Sequence, residues 1–303
     1  MDVVISGSHG FVGSALVPAL AAGGHRVRRL VRGTATGDDV AWDPAAGTID
    51  AEGLEGADAV VHLAGAGIGD RRWTAAQKER IRDSRVRGTG TLATALAGLR
   101  RPPAVLVSGS AIGWYGDRGD EVLTEESTGG TGFLAGVCQA WEGATAPAAD
   151  AGVRVVHIRT GVVQSPAGGA LNRQLPLFRL GLGGPLGSGR QWSSWVSLDD
   201  EVGAIAHALT TGSLRGPVNV TAPEPVTNAE LAKAIGRALR RPAVLPVPRF
   251  ALTLVLGREL VTDMVLASQR VLPTRLLASG YRFRHPQVHA AMADLLGRER
   301  GGG

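Results

Sequence analysis

A glycine-rich turn near the start of the chain constrains the fold more than any other feature. Residues 6–13 read SGSHGFVG, with Gly7, Gly10 and Gly13 in the pattern, and they follow the apolar run VVIS at residues 3–6. Glycine permits a tight turn and a close approach of the backbone to a pyrophosphate, which the N–H groups of a helix N-terminus attract. Because an apolar strand precedes the turn and a helix follows it, the sequence predicts a dinucleotide-binding unit.

Strand-like and helix-like segments alternate through the first half of the chain. Such alternation is typical of a parallel sheet with helical crossovers on both faces. Pro147 is expected to break or end its helix. We predict strands at 3–6, 26–31, 59–64, 104–108, 153–158 and 217–220, and helices at 11–22, 74–99, 133–150, 171–180, 199–211, 228–239, 249–260 and 286–297.

The second half of the chain changes to loops rich in glycine and proline, and then to helices. We therefore expect an α/β fold, a Rossmann doubly wound parallel sheet with a smaller, mostly helical substrate lobe. The Rossmann domain is predicted over residues 1–163 and completed by about 197–222. The substrate lobe is predicted over residues 164–196 and 223–303, with the latter as a C-terminal domain.

The end of the second predicted strand indicates which dinucleotide is preferred. In an NAD site, an Asp or Glu at this position accepts a hydrogen bond from the ribose 2′-hydroxyl. This strand ends instead in Val31 and Arg32, and no acidic residue follows before Asp38. A guanidinium group binds phosphate through two parallel hydrogen bonds. We therefore predict NADP as the cofactor, with Arg32 at its 2′-phosphate.

Composition excludes several classes of function. The net charge is +5, but the arginines are scattered rather than clustered with aromatic residues, so no nucleic-acid partner is expected. No apolar run is long enough to span a bilayer, so we expect no membrane partner.

A strand from residue 3 leaves no room for a signal peptide, and the single cysteine, Cys138, agrees with a cytoplasmic protein. No residue cluster has metal-ligand spacing, and the sequence leaves the oligomeric state open.

Longer motifs give the chain a resemblance to a known family. AVVHLAGAG (59–67) and LVSGSAIGWYG (106–116) resemble the extended short-chain dehydrogenase/reductases, which include nucleotide-sugar epimerases and dehydratases. LAGAGIGDRRW (63–73), RTGVVQSPAGGAL (159–171) and PVNVTAPEPVTNAEL (217–231) are similar to one atypical, epimerase-like branch with its own C-terminal domain of unknown function. This resemblance covers essentially the whole chain.

The resemblance implies a set of cofactor-binding residues. Arg85 stands where extended members have the Asn of Asn-x-x-Gly-Thr, so it adds a cation near the nicotinamide side that could reach the pyrophosphate. Val163 follows a strand and falls where the chain passes the nicotinamide carboxamide. The implied residues are Gly7, Gly10, Phe11, Val12, Gly13, Val31, Arg32, Leu63, Ala64, Gly65, Arg85 and Val163.

The chain lacks the catalytic pair of that class. In the broader class, tyrosine is the general acid, a lysine four residues later lowers its pKa, and a serine orients the carbonyl. Ser110 matches the serine, but Tyr115 and Tyr281 are the only tyrosines, and neither has a lysine four residues on. Depending on the register, the pair is replaced by Phe133 and Val137 or by Leu134 and Cys138.

Several residues are candidates to replace the missing pair. Tyr115 is the first, because it follows the serine strand directly; the alternative is an aromatic residue that lines a pocket. Cys138 and His62 are interpreted as core residues, and Glu142 is interpreted as a surface charge of its helix. The predicted catalytic residues are therefore Ser110 and Tyr115.

Arginine and tryptophan side chains mark the predicted substrate site. Guanidinium groups bind phosphate, and indole rings stack on planar or sugar-like groups. The alternative is that these tryptophans only pack the two lobes. The predicted substrate residues are Arg72, Trp73, Arg190, Gln191 and Trp195.

Two functions stay open at this point. The first is an NADP(H)-binding, epimerase-like oxidoreductase that acts on a small molecule of unknown identity, for which a nucleotide sugar is one candidate. The second is a non-catalytic NADP(H)-binding sensor or regulatory protein. The retained serine and the intact glycine turn favour the enzyme, whereas the missing pair favours the sensor.

Overall fold

The computed structural model describes residues 1–298, and the chain divides into two compact units. Unit 1 comprises Met1–Ala111, Gly136–Arg159 and Val202–Val218. Unit 2 comprises Ile112–Ala135, Thr160–Glu201 and the chain from Asn219 onward. Each unit is therefore built from separate stretches of sequence. The domain division made from the sequence, which assigned the segment after Ala111 to the Rossmann domain, stays a prediction.

The strands are β1 (Asp2–Ser6), β2 (Arg26–Arg32), β3 (Val40–Asp43), β4 (Thr48–Ile49), β5 (Ala59–His62), β6 (Val105–Ala111), β7 (Val122–Leu123), β8 (Arg154–Thr160), β9 (Val162–Ser165), β10 (Trp192–Ser193), β11 (Trp195–Ser197), β12 (Gly216–Val220), β13 (Val226–Thr227) and β14 (Arg270–Val271). Eight of them form one sheet in the order β12-β8-β6-β5-β1-β2-β3-β4. β1 pairs in parallel with β2 and β5, and parallel pairing continues to β3 and β6.

The helices are α1 (Phe11–Ala22), α2 (Ala75–Ala97), α3 (Phe133–Gly143), α4 (Ala146–Asp150), α5 (Gly169–Arg179), α6 (Leu198–Thr210), α7 (Asn228–Leu239), α8 (Arg249–Leu256), α9 (Arg258–Leu260), α10 (Thr274–Ala278) and α11 (Val288–Arg298). Helices follow strands through the main sheet, as in a Rossmann fold, so the predicted α/β class is confirmed. α1 and α7 have the predicted bounds, and the hydroxyl of Thr74 caps α2 by accepting a hydrogen bond from the N–H of Gln77.

The central strands are apolar because they are buried on both faces. Val4 of β1, Val60 of β5 and Leu106 of β6 have at most 2% exposure and belong to one hydrophobic cluster, which also holds Leu92 and Leu96 of α2. Since these strands run parallel, their carboxyl ends share one edge of the sheet. The loops that leave β1, β2 and β5 therefore start side by side.

Two predicted helices are interrupted in the structure. The helix predicted over 133–150 divides into α3 and α4, and Pro147 lies in the first turn of α4, where its missing N–H is not needed. The helix predicted over 249–260 ends at Gly257, whose φ of +91° is not helical. The first interruption agrees with the break expected at Pro147, whereas the second, at Gly257, corrects the predicted helix.

Several short strands lie where the sequence predicted loops. The loop expected after the second strand contains the hairpin of β3 and β4. The loops expected at 164–195 contain β10, the second half of β9 and the first residue of β11. β10 pairs with β13, and β9 pairs with β11. Segments of two to four residues carry too little alternation to be distinguished from loops.

Unit 2 has its own hydrophobic core. Leu171, Leu175 and Phe178 of α5 pack in one cluster with Ile235 of α7 and Met292 of α11. All five have at most 2% exposure. In the part of the chain that the structure describes, no helix is both long and apolar enough to cross a bilayer.

Candidate functional site

Three glycines build the turn between β1 and α1. Gly7 has a φ of +68°, and a Cβ atom there would lie 2.7 Å from the carbonyl carbon of Leu63. A Cβ atom at Gly13 would lie 2.2 Å from the carbonyl oxygen of Gly7, and one at Gly10 would lie 3.1 Å from the same oxygen. Side chains at Gly7 and Gly13 would therefore overlap the backbone, and the turn requires glycine at both positions.

The N-terminus of α1 is open to an anion. Gly10 is the N-cap, no side chain of the described residues caps the helix, and its first turn holds no acidic residue. The first helical residues are Phe11, Val12 and Gly13. A helix start of this kind offers unsatisfied N–H groups and a partial positive charge, which together favour phosphate.

Ser6 fixes the loop after β5 against the glycine turn. Its hydroxyl oxygen lies 2.6 Å from Nδ1 of His62 and accepts hydrogen bonds from the N–H groups of Leu63 (3.2 Å) and Ala64 (3.3 Å). Burial lowers the pKa of His62 to about 4, so this imidazole is neutral at pH 7. His62 is thus a core histidine, and the structure brings Leu63 and Ala64 next to Gly7.

The arginines of β2 have different surroundings. Arg28 is buried and donates to Oδ1 of Asp2 (2.8 Å) and to the carbonyl oxygen of Gly53. Arg32 is exposed at the last position of β2, directly after the half-buried Val31. Since β2 runs parallel to β1, Arg32 lies at the sheet edge from which the glycine turn leaves. Its contact with a 2′-phosphate stays a prediction.

Arg85 of α2 lies under the loop that follows β5. Its Nη1 donates to the carbonyl oxygen of Ala66 (2.9 Å), and its guanidinium carbon lies 5.0 Å from the ring centroid of Trp141. A Cβ atom added at Gly65 would lie 3.2 Å from that guanidinium carbon. Burial lowers the pKa of Arg85. The Arg85 side chain therefore packs against the backbone at Gly65. Its contact with a pyrophosphate stays a prediction.

Ser110 belongs to a buried charged network in unit 1. Its hydroxyl donates to Oε1 of Glu142 at 2.7 Å. Arg159 holds the same carboxylate with two parallel bonds, from Nε to Oε1 at 2.8 Å and from Nη2 to Oε2 at 2.9 Å. Arg159 is 2% exposed and Glu142 is 8% exposed, so water screens this pair weakly. The sheet brings the three residues together from β6, α3 and β8.

The interpretation of Glu142 as a surface charge is wrong. The side chain points into the protein, because Ser110 and Arg159 supply the hydrogen bonds that a buried carboxylate needs. Beside it, Nδ1 of His157 lies 3.9 Å from Oε2 of Glu142, and Nε2 of His157 lies 2.9 Å from the hydroxyl of Thr145. Burial lowers the pKa of His157.

Cys138 lies one turn before Glu142 on α3 and is 4% exposed. Burial, followed by the charge of Glu142, raises the pKa of its thiol to about 12. The thiol is therefore protonated at neutral pH and is not a nucleophile. This environment agrees with the core position expected for Cys138.

Tyr115 lies in unit 2 and is fully buried. Its hydroxyl donates to Oδ1 of Asn219 at 2.7 Å, and its ring packs with Leu123 and Val271. The Asn219 side chain is in turn fixed by a bond from Nδ2 to the carbonyl oxygen of Leu272 (3.0 Å). These contacts give the phenol a structural environment, while its role as a proton donor stays a prediction.

The predicted substrate residues divide between the two units. In unit 1, Arg72 is exposed, and the indole N–H of Trp73 donates to the carbonyl oxygen of Ile68 at 2.9 Å. In unit 2, Arg190 is exposed, and Nε2 of Gln191 donates to the carbonyl oxygen of Leu186 at 2.9 Å.

A cavity of about 370 Å³ lies within unit 2. Gln191 lines it together with Ser188, Pro248 and Arg249. Sequence reasoning missed Arg249, since nothing in the local pattern connects it to Gln191. The wall of the cavity thus includes the amide of Gln191 and the guanidinium group of Arg249.

Trp195 of β11 is fully buried in the core of unit 2. Its indole N–H donates to the carbonyl oxygen of Glu224 at 3.3 Å. Trp195 therefore packs inside unit 2, and its role at a substrate site stays a prediction. Val163 lies in β9, where it pairs with Val196 of the same parallel ladder.

A buried carboxyl group lies at the start of α6 in unit 2. Glu201 is 1% exposed and accepts a hydrogen bond from the hydroxyl of Thr160 at 2.8 Å. Burial raises its pKa to about 8, so the group is mostly neutral at pH 7. Over residues 1–298, no group of three or more His, Cys, Asp and Glu side chains is placed to hold a metal ion.

Comparison with known families gives two matches. The model of the NAD dependent epimerase/dehydratase family matches residues 3–221, which include the glycine turn and Ser110. A second model, described as a domain of unknown function (DUF1731), matches residues 247–295. This second match confirms the C-terminal family-specific domain that the sequence motifs implied.

Similar proteins align with nearly the whole chain. Epimerase family protein MT2273 of Mycobacterium tuberculosis is 47% identical, and the match covers 96% of each chain. The crystal structure of human epimerase family protein SDR39U1 (isoform2) with NADPH is 35% identical, with a TM-score of 0.90, and the match covers 98% of this chain and 99% of that one. The crystal structure of the nucleoside-diphosphate sugar epimerase from Corynebacterium glutamicum is 41% identical, with a TM-score of 0.81, over 98% of this chain and 58% of that one.

Proposed function

Because this chain belongs to the NAD dependent epimerase/dehydratase family, we propose that it binds NADP(H) in unit 1 and acts as an epimerase-like oxidoreductase on a small molecule. The main support for this proposal is the geometry of the glycine turn. Gly7 and Gly13 leave no room for a Cβ atom, and the turn ends at an uncapped helix N-terminus. These features fit a pyrophosphate that lies directly on the backbone.

The preference for NADP rests on Arg32. Arg28 already donates hydrogen bonds to Asp2 and Gly53. Arg32 is exposed at the end of β2 and is therefore the better placed cation for a 2′-phosphate. The human relative SDR39U1, whose structure contains NADPH, supports the same choice. The other predicted contacts, from Leu63, Ala64, Gly65 and Arg85, would lie along the coenzyme beyond the turn.

The coenzyme would supply the hydride acceptor or donor, and the residues of the chain would position the substrate. Ser110 donates its own hydrogen to Glu142, so the lone pairs of its oxygen are available to a ligand. A substrate hydroxyl can donate a hydrogen bond to this oxygen, whereas a carbonyl oxygen can only accept one, so a hydroxyl fits better here. Glu142, fixed by Arg159, thereby sets the direction of the hydrogen bond at Ser110.

The first experiment tests the coenzyme site by calorimetry with NADPH and NADH. Arg32→Glu is expected to erase or reverse the preference for NADPH, because a carboxylate repels the 2′-phosphate and accepts from a 2′-hydroxyl. Arg29→Glu is the matched control, since Arg29 is also exposed on β2 but lies three residues before the strand end. An unchanged ratio in Arg32→Glu would remove this residue from the proposal.

A non-catalytic sensor is the second candidate function. The chain has no Tyr-x-x-x-Lys sequence, and the hydroxyl of Tyr115 is already bonded to Asn219. Deuteride transfer from labelled NADPH into a metabolite extract distinguishes the two candidates. Transfer that Ser110→Ala abolishes supports the enzyme, whereas tight NADPH binding without any transfer supports the sensor.

A further inference from the structure

Helix α8 in unit 2 carries large apolar side chains that face solvent. Phe250 is 75% exposed, Leu254 is 73% exposed and Val255 is 69% exposed. None of the eight residues of the helix is buried. A helix of a soluble protein normally packs its apolar side chains against a core. The exposed face of α8 therefore marks a surface for contact with something else.

Two neighbouring segments extend this apolar surface. The N–H of Val247 donates to the carbonyl oxygen of Pro185 at 2.8 Å, and the N–H of Gly187 donates to the carbonyl oxygen of Val247 at 2.9 Å. The segment after α5 therefore lies beside the segment that leads into α8. Both expose apolar residues, with exposures between 50% and 74%. We define the apolar patch as Leu180, Leu182, Val244, Leu245, Phe250 and Leu254.

The segments that form the patch contain basic residues and no acidic ones. The sequence from residue 231 to 258 contains six basic residues and no Asp or Glu, and the sequence from 151 to 198 contains five arginines and no Asp or Glu. Arg240, Arg241 and Arg249 are exposed and lie in or beside the segments that form the patch. The surface is therefore apolar and cationic at once.

We propose that the apolar patch docks peripherally on an anionic lipid surface. Apolar side chains would enter the boundary between headgroups and acyl chains, and the arginines would bind lipid phosphates. The sequence predicted no membrane partner only because no apolar run is long enough to span a bilayer. Peripheral docking needs no such segment, and it is independent of the proposed coenzyme site.

Charge and composition favour lipid over the other occupants of such a patch. A second copy of the chain, related by a twofold axis, would bring the same arginines close to each other, which is unfavourable. The aromatic residues of protein hot spots are mainly Trp and Tyr, and Leu and Val are rare there, whereas this patch contains four leucines, one valine and Phe250. Lipid tails do not require aromatic anchors.

Cosedimentation of the full chain with vesicles tests the proposal. Vesicles of phosphatidylcholine mixed with phosphatidylglycerol are expected to bind the protein, and vesicles of phosphatidylcholine alone are expected to bind it much less. Binding should fall in 1 M salt, where the Debye length is about 3 Å. Leu254→Asp should weaken binding about tenfold or more. Arg240→Glu with Arg241→Glu should weaken it at least about 25-fold, since each basic residue contributes about fivefold.

The control variant is Leu277→Asp. Leu277 of α10 is 46% exposed but lies outside the patch, so its replacement should leave vesicle binding unchanged. Circular dichroism shows whether each variant is folded. Equal binding to neutral and anionic vesicles, or no binding to either, would overturn the proposal. So would a dimer, measured by light scattering, that Leu254→Asp dissociates.

Discussion

Replacement of Glu142 by alanine tests the buried network around Ser110. In the native protein, Arg159 makes two charge-assisted bonds to this carboxylate, at 2.8 and 2.9 Å, and Ser110 makes a third at 2.7 Å. Glu142→Ala leaves the Arg159 guanidinium, 3% exposed as a side chain, without its counterion. The loss of one partner from a buried ion pair costs about 3–5 kcal/mol. We expect a decrease of this size in the free energy of unfolding, measured by urea titration.

An exposed ion pair provides the matched control. Arg118 contacts Glu121 with bonds of 2.6 and 2.8 Å, so its geometry is as good, but the side chains are 23% and 48% exposed. Glu121→Ala should therefore cost at most about 1 kcal/mol. If Glu142→Ala costs no more than Glu121→Ala, burial does not strengthen the network around Ser110.

A double replacement separates the charge from the packing. Glu142→Leu with Arg159→Met removes both charges and keeps the side chains of similar size. Such exchanges of a buried pair are often neutral or stabilising. We expect the double variant to be more stable than Glu142→Ala. A double variant as unstable as the single one would show that the shape of the site, and not the unpaired charge, causes the loss.

The remaining predictions concern the glycine turn and the two buried titratable groups. Gly13→Ala should abolish NADPH binding in calorimetry, because its Cβ would lie 2.2 Å from the carbonyl oxygen of Gly7, whereas Gly90→Ala on α2 has open space and should bind normally. His62 has a folded pKa of about 4 and an ordinary value of 6.5, so the unfolded state binds the extra proton between these values. Stability should therefore fall as pH falls through this window, by up to about 1.4 kcal/mol per pH unit, and His62→Asn should remove that dependence in urea titrations. Glu201 has the opposite sign: its folded pKa of about 8 against 4.5 makes stability fall as pH rises between these values, and parallel profiles for Glu201→Gln and the native protein would contradict this assignment.

Local chemistry explains which parts of the structure the sequence predicted. The turn at Gly7 needs a positive φ, and a capping box fixes the start of α7. In both places a few consecutive residues are enough to predict the local structure. The strands β1 and β5 and the first half of β6 are buried and consist mainly of consecutive apolar residues. By contrast, β3 and β4 are held by pairing within the sheet, and their own residues contain little that distinguishes them from a loop.

The environment of Glu142 could not be predicted from the residues around it. A glutamate on a helix next to a tryptophan is compatible with an exposed face or with a buried one, and the partners that decide between these lie 32 and 17 residues away. Only the order of β6 and β8 in the sheet brings Ser110 and Arg159 to the same carboxylate. Ser110→Ala removes the bond to Glu142 as well as the proposed contact with the ligand, so a second variant is needed to separate the two effects. Ser110→Thr keeps the hydroxyl, so deuteride transfer that survives in Thr but not in Ala would assign the effect to that hydroxyl group and exclude a general loss of the network.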